Sequence, residues 1–178
     1  MIDFDNIDLI VFDIDGTLAE TDDYFVGKGS VIIRKIFPFI SEERANKLIR
    51  PLVMAGETVI HFFYRILDLF GLDRSLSALH NRISADRGYR YEPVSGMKKT
   101  LEYLSGKYIL AVLSSGGRKS TEAFIDKYEL GNIIRFVVSA EDCKYIKPHP
   151  GALKYIAEKA GVPIERCLMV GDTLFDII

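Results

Sequence analysis

The sequence predicts an α/β protein: a doubly wound parallel sheet interrupted after its first strand by a helical insert. Three observations carry this reading. Four short apolar runs, near Ile7 to Asp13, Tyr108 to Leu113, Arg135 to Val138 and Cys167 to Val170, have the length of buried strands. The last three alternate with amphipathic helical segments, as crossover connections of a parallel sheet require. Between the first two runs, from about Asp22 to Gly88, no convincing strand occurs.

The first run, L-I-V-F-D, ends in a Gly-Thr turn at Gly16 and Thr17. In the insert, Ser41 followed by Glu42 and Glu43 reads as a helix start. Ile60, Phe63, Tyr64 and Leu67 share one helical face, Gly71 stops that helix, and Leu72, Leu76, Leu79 and Ile83 form a further stripe. Three or four helices would pack as a bundle, with breaks or kinks at Pro38 and Pro51. After Gly96 the pattern returns to alternation. Ser95 is placed to cap a helix bearing Met97, Leu101 and Leu104, and a second helix, Arg118 to Tyr128, shows Thr121, Phe124, Ile125 and Tyr128 on one side. Pro150 and Gly161 bracket a third, which carries Leu153, Ile156, Ala157 and Ala160. The expected division is a core of residues 1–18 and 92–178 with residues 19–91 inserted.

Composition narrows the function classes. A formal charge of -2 and a pI near 5.9, with charges spread rather than blocked, supply no basic field for nucleic acid. No apolar stretch has bilayer length, and the first residues carry acids where a secretory signal carries bases. The expectation is a cytoplasmic protein, monomer or homodimer, with no membrane or nucleic-acid partner. Cys143 and Cys167 lack metal-site spacing and suit reduced thiols in packed surroundings.

The chemistry gathers where the runs end. A strand of a parallel sheet delivers its last residues to the carboxyl edge, where ligands bind. Asp13 and Asp15, two apart, would face one small site until the chain turns at Gly16, and two close anions invite a divalent cation or a shared proton. Ser114 opens the loop Ser115-Gly116-Gly117, whose hydroxyl and backbone N–H groups suit an anion. Lys147 lies in Y-I-K-P-H-P, where prolines stiffen the loop around one ammonium. Asp172 follows the last run, and Asp176 stands four residues on. Taken singly, the Ser114 loop reads equally well as a helix cap, Lys147 reads better as a surface lysine, and Gly171-Asp172 is a common turn. Together they supply the acids, hydroxyl and lysine of a magnesium-assisted phosphoryl transfer.

D-I-D-G-T, L-S-S-G, the K-P pair and G-D-T-L-F-D, in that order, resemble the motifs of the haloacid dehalogenase (HAD) superfamily over nearly the whole chain. The insert resembles the C1-type cap of phosphoglycolate-phosphatase-like members. The resemblance implies a Rossmann-like core and a Mg²⁺-dependent phosphatase acting on a small phosphorylated metabolite, phosphoglycolate first. It implies Asp13 as nucleophile and Asp15 as acid and base. The metal would lie on Asp13, the Asp15 carbonyl and Asp172, with Asp176 supporting the metal shell or Lys147. Ser114 and Lys147 would hold the phosphoryl group, with Thr17 and the Ser115 backbone as secondary contacts. Asp15 favours phosphate over carbon–halogen chemistry, since the dehalogenases that give the superfamily its name lack an acid there.

A sugar phosphomutase and a catalytically silent module that binds phosphate and Mg²⁺ are the alternatives. Selectivity is expected from the cap, with Gly56, Glu57, Arg87, Arg90 and Tyr91 as candidates; His61 reads as structural, and His149 as a lesser functional candidate. The chain stops two residues after Asp176, where relatives continue. The C-terminal end of the core is therefore expected to be missing, Asp176 to lie on a frayed terminus, and a sheet edge to be open.

Overall fold

The computed structural model describes residues 3–52, 92–145, 147–173 and 176–177, apart from the side chains of residues 21–25 and 28. The chain forms two compact units, Met1–Ala19 with Asn81–Ile178, and Glu20–His80.

In the first unit, β1 (Leu9–Phe12), β4 (Ile109–Leu113), β5 (Phe136–Val138) and β6 (Cys167–Val170) build a parallel sheet in the order β5-β4-β1-β6. All four residues of β1 are buried, which explains an unbroken apolar run instead of an alternating one. One sheet face, bearing Leu9, Val11, Ala111, Leu113 and Val138, packs on Ala152, Leu153 and Ile156 of α5 (Pro150–Ala160). Residues of the alternate register, including Ile10, Phe12, Leu110 and Val112, are buried as well. Two further helices complete the described crossovers: α3 (Met97–Ser105), which packs on β4, and α4 (Arg118–Lys127), which packs on β5. β6 lies at the sheet's edge and is only half-buried.

Register brings the strand ends level. Phe12 is opposite both Val112 and Val170, and Leu113 is opposite Val138. The ladders run one residue further, with Asp13 N–H donating to Val170 O at 2.9 Å and Ser114 N–H to Val138 O at 2.9 Å. Asp13, Ser114, Ser139 and Gly171 therefore leave the sheet side by side.

The strands and helices differ from expectation in detail. A two-stranded pair, β2 (Ala19–Glu20) with β3 (Glu92–Pro93), has no counterpart in the sequence reading. Ser95 does not cap α3; Gly96 does, at φ 79°, because a turn from Val94 O to Met97 N–H places the left-handed residue there. In the second unit, α1 (Thr21–Ile36) is followed by α2, helical over residues 42–52. Ser41 Oγ accepts from Arg44 N–H at 3.4 Å, and Gly29 lets Ile49 approach to within 2.8 Å of where a side chain would begin. Pro38 lies between the helices as expected, whereas α2 runs through Pro51. The apolar stripes of residues 60–83 lie outside the described residues. No helix among the described residues is long and apolar enough to cross a membrane.

Candidate active site

Asp13 is the first residue beyond β1 and is 6% exposed. Lys147 Nζ sits 2.6 Å from Asp13 Oδ1 and 2.7 Å from Asp176 Oδ1, with all three side chains buried. One ammonium thus bridges two carboxylates taken out of water. Burial, joined by the neighbouring Asp15 and Asp176 carboxylates, pushes the Asp13 carboxyl up to about 7 against the pull of Lys147. For Lys147, burial works against the charged form, and the two acids outweigh it and raise the pKa, so the ammonium stays protonated. At Asp176 burial pushes upward, but Lys147 and the Thr173 hydrogen bonds prevail and lower the pKa.

Asp176 is anchored on both oxygens. Oδ1 takes Lys147, while Oδ2 accepts the Thr173 N–H at 3.1 Å and the Thr173 hydroxyl at 2.8 Å. The expectation of a frayed Asp176 is therefore corrected: a buried ion pair and a tight turn hold it, although its neighbour Ile177 is 73% exposed. Two glycines keep the acids in place. A Cβ on Gly171 would overlap the Asp176 carboxyl, and one on Gly16, at φ 77°, would overlap the Asp172 carboxylate.

Carboxylate oxygens of Asp13, Asp172 and Asp176 lie within 4.8 Å of one another. The fit to a divalent cation rests on this geometry and on the donors. All are hard oxygens, they outnumber the one lysine, and Mg²⁺ favours such ligands. Both Asp176 oxygens are engaged within the chain, one by Lys147 and the other by Thr173.

On the neighbouring strand end, Ser114 is buried, and its Oγ accepts the Gly116 N–H at 3.0 Å, which leaves the hydroxyl proton to donate. A Cβ on Gly116 would lie 3.2 Å from that oxygen, so the loop closes tightly here. Gly117 then starts α4, its carbonyl accepting from Thr121 N–H at 3.1 Å, Ser120 Oγ at 2.8 Å and Thr121 Oγ1 at 3.0 Å. Among the described residues, the Thr17 hydroxyl is buried and finds no hydrogen-bond partner.

The Lys147 loop has supports that the sequence reading missed. The Lys147–Pro148 bond is cis. His149 Nδ1 accepts the Gly151 N–H at 2.9 Å and so caps α5, and its ring stacks on Tyr145 with centroids 4.2 Å apart. The signal was the Pro-Gly pair that follows His149, which marks it as the residue before a helix. Gly16, Gly171 and Thr173 were also missed as supports of the acids, though they stand inside the quoted motifs. Cys143 and Cys167 are unpaired and pack against the core, and burial pushes the Cys167 thiol up to about 11. The cap candidates at 56, 57, 61, 87, 90 and 91 lie outside the described residues.

The fold and this edge define a parallel α/β core with acids gathered at its carboxyl edge, and comparison with known proteins specifies the family. Residues 10–178 match the model of the haloacid dehalogenase-like hydrolases, and the chain belongs to that family. It is 26% identical over 177 residues to a phosphoglycolate phosphatase of Pseudomonas syringae pv. tomato, covering 95% of this chain and 64% of that protein. It thus spans under two thirds of that relative's length. Pyrophosphatase PpaX of Bacillus mycoides is 22% identical over 179 residues, covering 97% of this chain and 78% of its own. Among solved structures, a HAD-superfamily hydrolase of subfamily IA from Geobacter sulfurreducens PCA superposes with a TM-score of 0.66 at 21% identity, over 97% of this chain and 81% of that one.

Proposed function

We propose that this chain is a Mg²⁺-dependent phosphatase that hydrolyses a small phosphorylated metabolite, phosphoglycolate first among the candidates, through an aspartyl-phosphate. The observation that carries the reading is the buried Lys147 ammonium between Asp13 and Asp176, beside Asp172 and level with Ser114. Asp13 attacks phosphorus, the ester P–O bond breaks, and Asp15 gives its proton to the leaving oxygen. Water then attacks the phosphorus of the aspartyl-phosphate, Asp15 takes up the water proton, and the bond to Asp13 breaks to release orthophosphate. Ser114 and the Ser115 N–H donate to the transferring oxygens, while the Gly116 N–H holds the Ser114 hydroxyl in place and Lys147 offsets the phosphoryl charge. Mg²⁺ held by Asp13, the Asp15 carbonyl and Asp172, with Asp176 behind them, would neutralise phosphoryl charge and favour the ionised Asp13.

Phosphate release from a panel of small esters, with Mg²⁺ and with EDTA, tests this reading against Asp13→Asn in folded protein. Inorganic pyrophosphate belongs in the panel because of the similarity to a pyrophosphatase. Metal-dependent release, lowered by about 10³-fold or more in the variant, is the expected result. A folded chain with no release, or release unaffected in Asp13→Asn, overturns the proposal.

A further inference from the structure

Outside the acid cluster, a dense set of contacts among the described residues surrounds Asp142, a residue with no place in the mechanism above. Its side chain is 15% exposed. Oδ2 accepts the Ser139 N–H at 2.8 Å and the Ser139 hydroxyl at 2.6 Å, while Oδ1 is paired with the Arg118 guanidinium. Asp142 N–H donates in turn to Ser139 O at 3.0 Å, and Ser139 Oγ accepts from Glu141 N–H at 3.3 Å. Residues 139–142 are thereby closed into a turn whose first residue is 1% exposed.

That turn grips the loop after β4 at both ends. Ala140 N–H donates to Gly116 O at 3.1 Å. Two residues along, the backbone N–H of Arg118 donates to Glu141 Oε1 at 3.4 Å, and its side chain reaches Asp142. Gly117, between the two anchors, has no side chain to hold it in place. Local bonds tie the stretch to Ser114 and to the first turn of α4, and the 139–142 turn adds the ties that reach across to the neighbouring strand end. Charge-assisted hydrogen bonds are roughly twice as strong as neutral ones, so an anion shared by Ser139 and Arg118 is an effective tie between two loops.

We propose that Asp142 is a positioning residue for phosphate: through Ser139 and Arg118 it fixes the loop 114–117 that receives the phosphoryl oxygens, a role that rests on the phosphatase reading above. A donor set displaced by about 1 Å can lose on the order of 10²-fold in rate, and a loop freed at one anchor is displaced by part of that. Asp142 bonds Ser139 and Arg118, neither of them an acid of the metal cluster, so its effect is expected on the phosphate side alone.

The test compares wild type, Asp142→Ala, Asp142→Asn and Arg118→Met for KM, kcat, competitive inhibition by orthophosphate and half-saturating Mg²⁺. Asp142→Ala is expected to raise KM and the orthophosphate inhibition constant by about tenfold, with half-saturating Mg²⁺ within about twofold of wild type. Asp142→Asn, which keeps an oxygen for Ser139 and loses the charge facing Arg118, is expected between the two, with Arg118→Met close to it. Should Asp142→Ala fail to fold, the latter two variants carry the test. Variants that melt at lower temperature with unchanged KM and inhibition constant overturn the inference and leave a purely structural turn. A wild type that neither turns over esters nor binds orthophosphate overturns the phosphatase reading, and this inference with it.

Discussion

The acid side of the site, at the ends of β1 and β6, and the donor side, at the ends of β4 and β5, meet at one sheet edge and are built from opposite chemistry. On the acid side Asp13 and Asp176 are buried with one lysine between them, and burial holds Asp13 far above the usual carboxylate range. On the donor side Ser114, Gly116 and Gly117 use neutral groups, already hydrogen-bonded to one another and to the next loop. The acid side has more negative charge than its lysine can balance, whereas the donor side is neutral and already tied together, with the Ser114 hydroxyl proton left to donate. Ligand dependence should therefore concentrate on the first, and shape dependence on the second.

Lys147→Met is the severest way to break this contrast. The variant leaves two buried carboxylates without their cation, and losing one partner of a buried pair costs about 3–5 kcal/mol. We expect a fall in stability of that order in EDTA, a smaller fall with Mg²⁺ present, and phosphate release reduced by about 10²-fold to 10³-fold. Urea denaturation with and without the metal reads the first two effects. Equal melting of variant and wild type in EDTA would show that the acid side is not charge-burdened.

pH sharpens the comparison with a smaller effect. Unfolded Asp13 ionises near pH 4, while the native carboxyl, held up by burial, keeps its proton to about 7. Between these values the native state binds more protons than the unfolded state, so this group's stabilisation is present at low pH and is lost as pH rises through about 7. Asp142 has the opposite sign. Burial raises its pKa, but Ser139 and Arg118 outweigh burial and lower it, so its contribution is present above pH 4 and is lost as pH falls through its depressed native value. Metal-free protein is thus expected to lose urea resistance from pH 5 to pH 7.5, and Asp13→Asn to flatten that slope. A slope unchanged in Asp13→Asn would assign it to other groups.

These two sides were unequally legible in the sequence. Leu9–Phe12 and Ile109–Leu113 are continuous apolar runs because both faces of the sheet are covered there, and Cys167–Val170 stands out as a run of the same kind although it is half-buried at the edge. Ala19–Glu20 and Glu92–Pro93 do not, since two residues hold no period and one of them is proline. The acids were legible as motif positions, yet the ammonium shared by Asp13 and Asp176 joins residues far apart in the chain, and no local spacing encodes it. Asp176 was misread for the same reason: proximity to the chain's last residue suggested fraying, while its partners are Lys147 and Thr173. On the donor side, Ser114 was legible from its small-residue loop, whereas Asp142 was not, because its tie to Arg118 crosses from one loop to another.

Thr17 tests the boundary between the two sides, and its effect is the smallest expected. It follows the acid motif in sequence, as Asp13-Ile14-Asp15-Gly16-Thr17, yet it offers a neutral hydroxyl like the residues of the donor side. That hydroxyl is buried and finds no partner among the described residues, and such a group costs about 1–3 kcal/mol while it stays unpaired. Thr17→Val keeps the shape and removes the polar atom. If the hydroxyl is only a buried loss, the variant is expected to be more stable than wild type by up to about 1 kcal/mol, with phosphate release within about threefold. Its burial favours this outcome, because a substrate oxygen would have to displace packed atoms to reach it. If the loop opens to offer the hydroxyl to phosphate, the same variant gains stability without ligand and loses about tenfold in orthophosphate affinity. Thermal melts with and without orthophosphate separate the two, and the second result would move Thr17 from the floor of the acid side to the donor set headed by Ser114.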